Sequence, residues 1–135
     1  MNKMLESAIN EWRDWITNEK RLTNNTILSY VRDLRSFLRF MNSHYGIQME
    51  FKDLKKINED DLTGWFFQRI KNNLSQRSNA RALSSIKSFF TFLTKKRLIK
   101  SRVILFINGP KFRNSLPRPL TKNQVNEIFR FVKYE

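Results

Sequence analysis

An all-α fold is predicted for this 135-residue chain from three features of its sequence. Apolar residues recur at helical spacing in four stretches between residues 3 and 96, and side chains able to cap a helix stand before several of them. All three prolines, Pro110, Pro117 and Pro119, fall after the last of these stretches, where they disfavour both helix and central strand. A compact bundle of four to five helices is expected, followed by a linker and a further helix that opens near Thr121. With 40% hydrophobic residues, twelve Phe and three Trp, the chain can bury a core and is not a disordered basic tail.

The first helix is expected from Lys3 to Asn18, with Leu5, Ala8, Ile9, Trp12, Trp15 and Ile16 on one stripe. Its polar side mixes signs, so it is read as a packing helix, with Trp12 and Trp15 in the core or at a subunit contact. Thr23 or Asn24 can cap a second helix over residues 25–43 that stops near Gly46. There Ile27, Val31, Leu34, Leu38 and Met41 point inward, Tyr30 and Phe37 lie at the border, and Ser29, Arg32, Ser36 and Arg39 occupy the opposite side. Residues 46–57 are expected to be irregular. Asn58, followed by Glu59, Asp60 and Asp61, starts a third helix that runs to about Asn73, its acids answering the positive end of the helix dipole.

The fourth helix, residues 77–96, follows a cap at Ser75 or Ser78 and carries the most unusual pattern. Leu83, Ile86, Phe89, Phe90 and Leu93 form its apolar side, while Arg77, Arg81, Ser84, Ser85 and Ser88 form a face of arginines separated by small hydroxyls, with no acid among them. Such a face lets a partner backbone approach and offers charge-assisted hydrogen bonds to phosphate or bidentate bonds to guanine. No Asp or Glu occurs between Leu62 and Asn126, and the fourteen bases in that interval equal the net charge of +14. A polarised excess of this size points to nucleic acid or an anionic surface. Without Cys, and with His44 alone, no cofactor or metal centre is expected, and there is neither a nucleophile–base pair nor a glycine-rich phosphate loop.

Beyond the fourth helix, the run Val103–Ile107 is too short to classify by period, and residues 109–120 read as an extended basic linker. Thr121 with Gln124 makes a capping-box pattern for a helix through Val125, Ile128, Phe129 and Val132.

Taken in order, these stretches resemble the amino-terminal core-binding domain of tyrosine recombinases, most closely the Xer type within the phage integrase family. Thr26, Tyr30, Asp33, Leu34 and Phe37 meet one family pattern; Ala80, Arg81, Leu83, Ser84, Lys87 and Phe89 meet a second; Pro110, Lys111, Leu116 and Pro117 meet that of the interdomain linker. The family's Asn-Pro after the fourth helix is replaced by Ser101 and Arg102. The resemblance implies a compact orthogonal helical bundle, SAM-like, that sits on one face of duplex DNA with two crossed helices toward the major groove, corresponding to those of Thr26 and Arg77. It implies a core-binding domain over 1–108, a linker over 109–120, and the start of a catalytic domain at 121–135. The catalytic residues, including the tyrosine that forms a 3′-phosphotyrosyl intermediate, are expected after that linker; Tyr30, Tyr45 and Tyr134 match no nucleophile motif.

The expected DNA contacts are Thr26, Ser29, Arg32, Arg39, Arg77, Ser78, Arg81, Ser84, Ser85 and Lys87. For Lys87 two placements stay open, a phosphate contact or a stem lying along the core edge. Expected partners are a duplex recombination site and sister recombinase subunits in a tetramer, with no membrane and no metal. The expected setting is the bacterial cytoplasm, on the nucleoid. The parent activity reads as chromosome dimer resolution, with a phage or mobile-element integrase, or a basic helical RNA-binding protein, as alternatives.

Overall fold

The computed structural model describes residues 2–99, and these are all-helical. The readings made on 103–107, the linker and the Thr121 helix lie outside them. Five helices follow in order: α1 Lys3–Asn18, α2 Asn24–Tyr45, α3 Phe51–Leu54, α4 Glu59–Lys71 and α5 Gln76–Lys95.

Each long helix begins on a side chain that answers backbone N–H groups left without intrahelical partners. Asn2 accepts from the amides of Met4 and Leu5, Thr23 from Thr26, Asn58 from Asp61, and Ser75 from Ser78. At Asn58 the box closes from both sides, because the Asp61 carboxylate receives the Asn58 amide in return. Helix α2 ends at Gly46, whose φ of 68° is left-handed and whose amide bonds the Asn42 carbonyl. A Cβ there would meet no neighbour, so only the backbone conformation calls for glycine.

The segment expected to be irregular contains α3, a single turn built on a capping box between Glu50 and Asp53. Four residues are too few to show a helical period, so the turn left no signature in the apolar pattern. Its purpose in the packing is to bring Leu54, with Met49 and Ile57 on either side, into the core.

Helices α2 and α5 form the central pair; α1 lies against both, and α4 against α2. Phe37, expected at the border, is fully buried and sits edge-on to Trp65 of α4 (5.2 Å) and Phe90 of α5 (6.4 Å). Val31 and Leu83, expected to face inward, are half-buried at the rim. Trp12 is fully buried as well, edge-on to Phe89 at 5.5 Å and stacked on Tyr30 at 6.5 Å. Its indole N–H donates to Ser88 Oγ (3.0 Å), which removes the cost of burying that donor.

That bond corrects part of the expected exposed face of α5. Ser88 is turned toward α1, and Ser85 is completely buried with its hydroxyl donating to the Tyr30 carbonyl at 2.6 Å. Small side chains let α1 and α2 approach α5 closely, and each hydroxyl finds its partner across the helix contact.

Candidate nucleic-acid interface

The first turns of α2 and α5 meet at a groove of about 450 Å³ lined by Asn25, Thr26, Ser29, Tyr30, Arg77, Ser78 and Arg81. Five of the expected contact residues therefore come together, drawn from segments about fifty positions apart in sequence. Two helix N-termini open toward this groove, so their dipoles add to the arginine charge. The Thr26 hydroxyl is bonded to Thr23 Oγ1 (2.9 Å), and the Ser78 hydroxyl accepts from Ser75 Oγ (3.0 Å). These bonds tie both hydroxyls to the capping residues of their helices.

The other expected residues are placed differently. Arg32 and Arg39 are exposed on the outer side of α2, and Ser84 is exposed further along α5. Lys87 is half-buried, as a stem along the core edge would be. Ser85 is withdrawn from the contact set, because its hydroxyl is buried and its proton is committed to Tyr30. Among the described residues, Arg32, Arg39, Arg77 and Lys87 make no ion pair with a carboxylate, so their charge remains available to a polyanion.

Beneath the groove lies a network that periodicity did not disclose. Asp33 is buried, with 2% of its surface exposed, and receives Arg81 Nε at 2.9 Å and Arg81 Nη2 at 3.4 Å. Arg69 Nη1 lies 3.9 Å from Asp33 Oδ1, the oxygen that also receives Arg81 Nη2. Arg69 is itself buried, donates from Nε to Asn79 Oδ1 (2.8 Å) and from Nη2 to the Ser78 carbonyl (3.3 Å), and lies over the Trp65 ring. Burial pushes the Arg69 guanidinium below its ordinary pKa; Asp33 opposes the shift, and Arg81 and Arg32 add to it. One buried acid thus pairs with two arginines, joining α2, α4 and α5 under the groove floor. A hint was present in sequence: Asp33 falls between the outward Arg32 and the inward Leu34, at a border where a carboxylate is buried only if paired.

The opposite end of α1 carries the acids. Glu11, Asp14 and Glu19 line a groove with Trp15, Phe92 and Leu98, and Lys20 and Lys95 lie over the Trp15 ring at 5.1 and 5.7 Å. The described domain therefore has a basic mouth at the start of α2 and α5 and mixed charge where α1 and α5 end.

Helical architecture and a basic groove built by α2 and α5 define a small all-α domain with a polarised basic face. The chain belongs to the family described as phage integrase, N-terminal SAM-like domain, which matches residues 9–97. Among curated proteins it is 31% identical over 121 residues to the tyrosine recombinase XerC of Rickettsia typhi, covering 90% of this chain and 40% of the relative. Against XerC of Rickettsia rickettsii it is 29% identical over 125 residues, covering 93% and 41%. These findings bear out the resemblance to the Xer-type tyrosine recombinases, and the chain spans only 40–41% of the length of these relatives. No solved structure matches the chain. Among the described residues no helix is long and apolar enough to cross a membrane.

Proposed function

We propose that residues 2–99 are the DNA-gripping part of a site-specific tyrosine recombinase, laid on one face of a duplex with the mouth between α2 and α5 toward the phosphates. The observation that carries this reading is the convergence of Thr26, Ser29, Arg77, Ser78 and Arg81 on one groove. Arg77, Arg32 and Arg39 supply the unpaired positive charge, while the hydroxyls at the rim set register. The whole recombinase, of which 1–108 is the core-binding domain and 109–120 the linker to a catalytic domain, cuts and rejoins DNA in a tetramer of sister subunits through a phosphotyrosyl intermediate. Its setting is the bacterial nucleoid and its task chromosome dimer resolution, in keeping with the XerC relatives.

Fluorescence anisotropy of a labelled duplex, titrated with the chain at several salt concentrations, tests the grip. Arg77→Ala is expected to weaken binding on every sequence and to lower the salt slope by about one unit. Unchanged affinity and slope in Arg77→Ala would remove the groove from the interface, and stronger competition by structured RNA than by duplex DNA would move the protein to another class of partner.

A further inference from the structure

We infer that Asp33 is a positioning residue for DNA recognition, holding the Arg81 guanidinium on the wall of the α2–α5 groove with its outer edge turned to the nucleic acid. This rests on the DNA-binding reading above and assigns a division of labour within the groove.

The geometry has three parts. Arg81 meets Asp33 side-on, through Nε and Nη2, so the fork consumes one edge of a planar group that carries five N–H donors. Among the described residues Nη1 has no protein partner, and Arg81 is one of the groove-lining residues with 32% of its side chain exposed. Asp33 is itself held, because it is buried and faces Arg69, which is anchored in turn on Asn79 and on the Ser78 carbonyl. A long flexible side chain is thereby ordered before any ligand arrives, and the entropy of fixing it is not charged against binding. Arg77, exposed and without an acid partner, contributes charge; Arg81, paired but oriented, contributes direction.

The inference gives a sign opposite to that of simple electrostatics. Removing an acid beside a DNA groove raises the net charge by one and, on charge alone, tightens binding. If Asp33 positions Arg81, its neutralisation instead weakens binding. The test measures affinity of the whole chain for a mixed-sequence duplex across a salt series, for the wild type, Asp33→Asn and Arg81→Lys, with a thermal melt of each. Asp33→Asn is expected to bind about tenfold more weakly despite its extra positive charge. Arg81→Lys keeps the charge but cannot fork to Asp33 while presenting a second edge, and is expected to lose about tenfold as well. Wild-type affinity in Arg81→Lys, or equal or tighter binding by a folded Asp33→Asn, overturns the inference. Should Asp33→Asn show no cooperative melt, Arg81→Lys decides alone. If the wild type shows no salt-dependent duplex binding, the DNA reading itself falls, and Arg77→Ala will then be silent too.

Discussion

Two buried carboxylates stand at different stations on the flank of α2, and they are satisfied in opposite ways. Asp33, near the basic mouth, is balanced by the cations Arg81 and Arg69. Asp61, at the far end of the helix, is held mostly by neutral donors: the Tyr45 hydroxyl and the Asn58 amide on one oxygen, and His44 Nε2 at 2.8 Å on the other. Its His44 partner is stacked on Phe40 and 45% exposed. The difference teaches what each junction is for. Asp61 closes a helix start and pins the end of α2 to it, a local task carried out by hydrogen bonds. Asp33 sits among fixed charges next to the basic groove, so its replacement alters both packing and field.

Truncating each acid separates the two. Asp33→Ala leaves Arg69 buried beside Arg81 with no counter-charge, and its expected cost is about 3–5 kcal/mol in urea unfolding followed by tryptophan fluorescence. Asp61→Ala removes one half of a capping box, but the Tyr45 hydroxyl proton turns to the Lys56 carbonyl, 3.1 Å away, and the exposed His44 turns to water, so about 1–2 kcal/mol is expected. Equal losses would dissolve the distinction between a carboxylate held by arginines and one held mainly by uncharged donors.

Tyr45 gives that distinction a pH signature. Burial, reinforced by the hydrogen bond to Asp61 and by the negative charge of that carboxylate, pushes the Tyr45 hydroxyl up to about 12. Because the folded value lies above the ordinary phenol value of about 10, its contribution is fully present below that pH and is lost as pH rises toward about 12. Tyr45→Phe is expected to cost about 1 kcal/mol at neutral pH and to flatten this alkaline limb in a pH series of urea melts. An unchanged limb would place the alkaline sensitivity elsewhere.

The same contrast explains what was legible in the sequence. The helices other than α3 were readable because caps and apolar stripes are local, and α1 runs from Lys3 to Asn18 as its stripe predicts. The pairing of the two arginine-and-serine surfaces was legible only as chemistry, since nothing in a single helix says which neighbour it meets. Ser85 and Ser88 were misplaced for a definite reason. A polarity pattern counts a hydroxyl as outward, whereas a short hydroxyl that finds the Tyr30 carbonyl or the Trp12 indole costs little in a helix contact. Asp33 and Arg69 were hidden by the same assumption, because a charged residue reads as exposed unless its partner, here from another helix, is known.

The smallest expected effect comes from the pair with the best geometry, and that makes it the most informative control. Glu6 of α1 and Arg35 of α2 form a two-bond fork, Nη1 to Oε1 at 2.7 Å and Nη2 to Oε2 at 3.0 Å, shorter overall than the fork of Arg81 on Asp33. Yet their side chains are 36% and 34% exposed, so water competes for every bond and salt screens the charges. The hydrogen bond to Arg35 holds the Glu6 carboxyl below its ordinary value, against a smaller opposing effect of burial. A lowered folded value means that the contribution is present above the ordinary carboxylate range and is lost as pH falls through the folded value. Glu6→Gln is expected to cost less than about 1 kcal/mol at neutral pH, and to shrink further in high salt, where the loss in Asp33→Ala persists. A larger loss in Glu6→Gln than in Asp33→Ala would mean that bond geometry outranks burial in this bundle. The buried triad under the groove would then stabilise the fold no more than an ordinary surface pair.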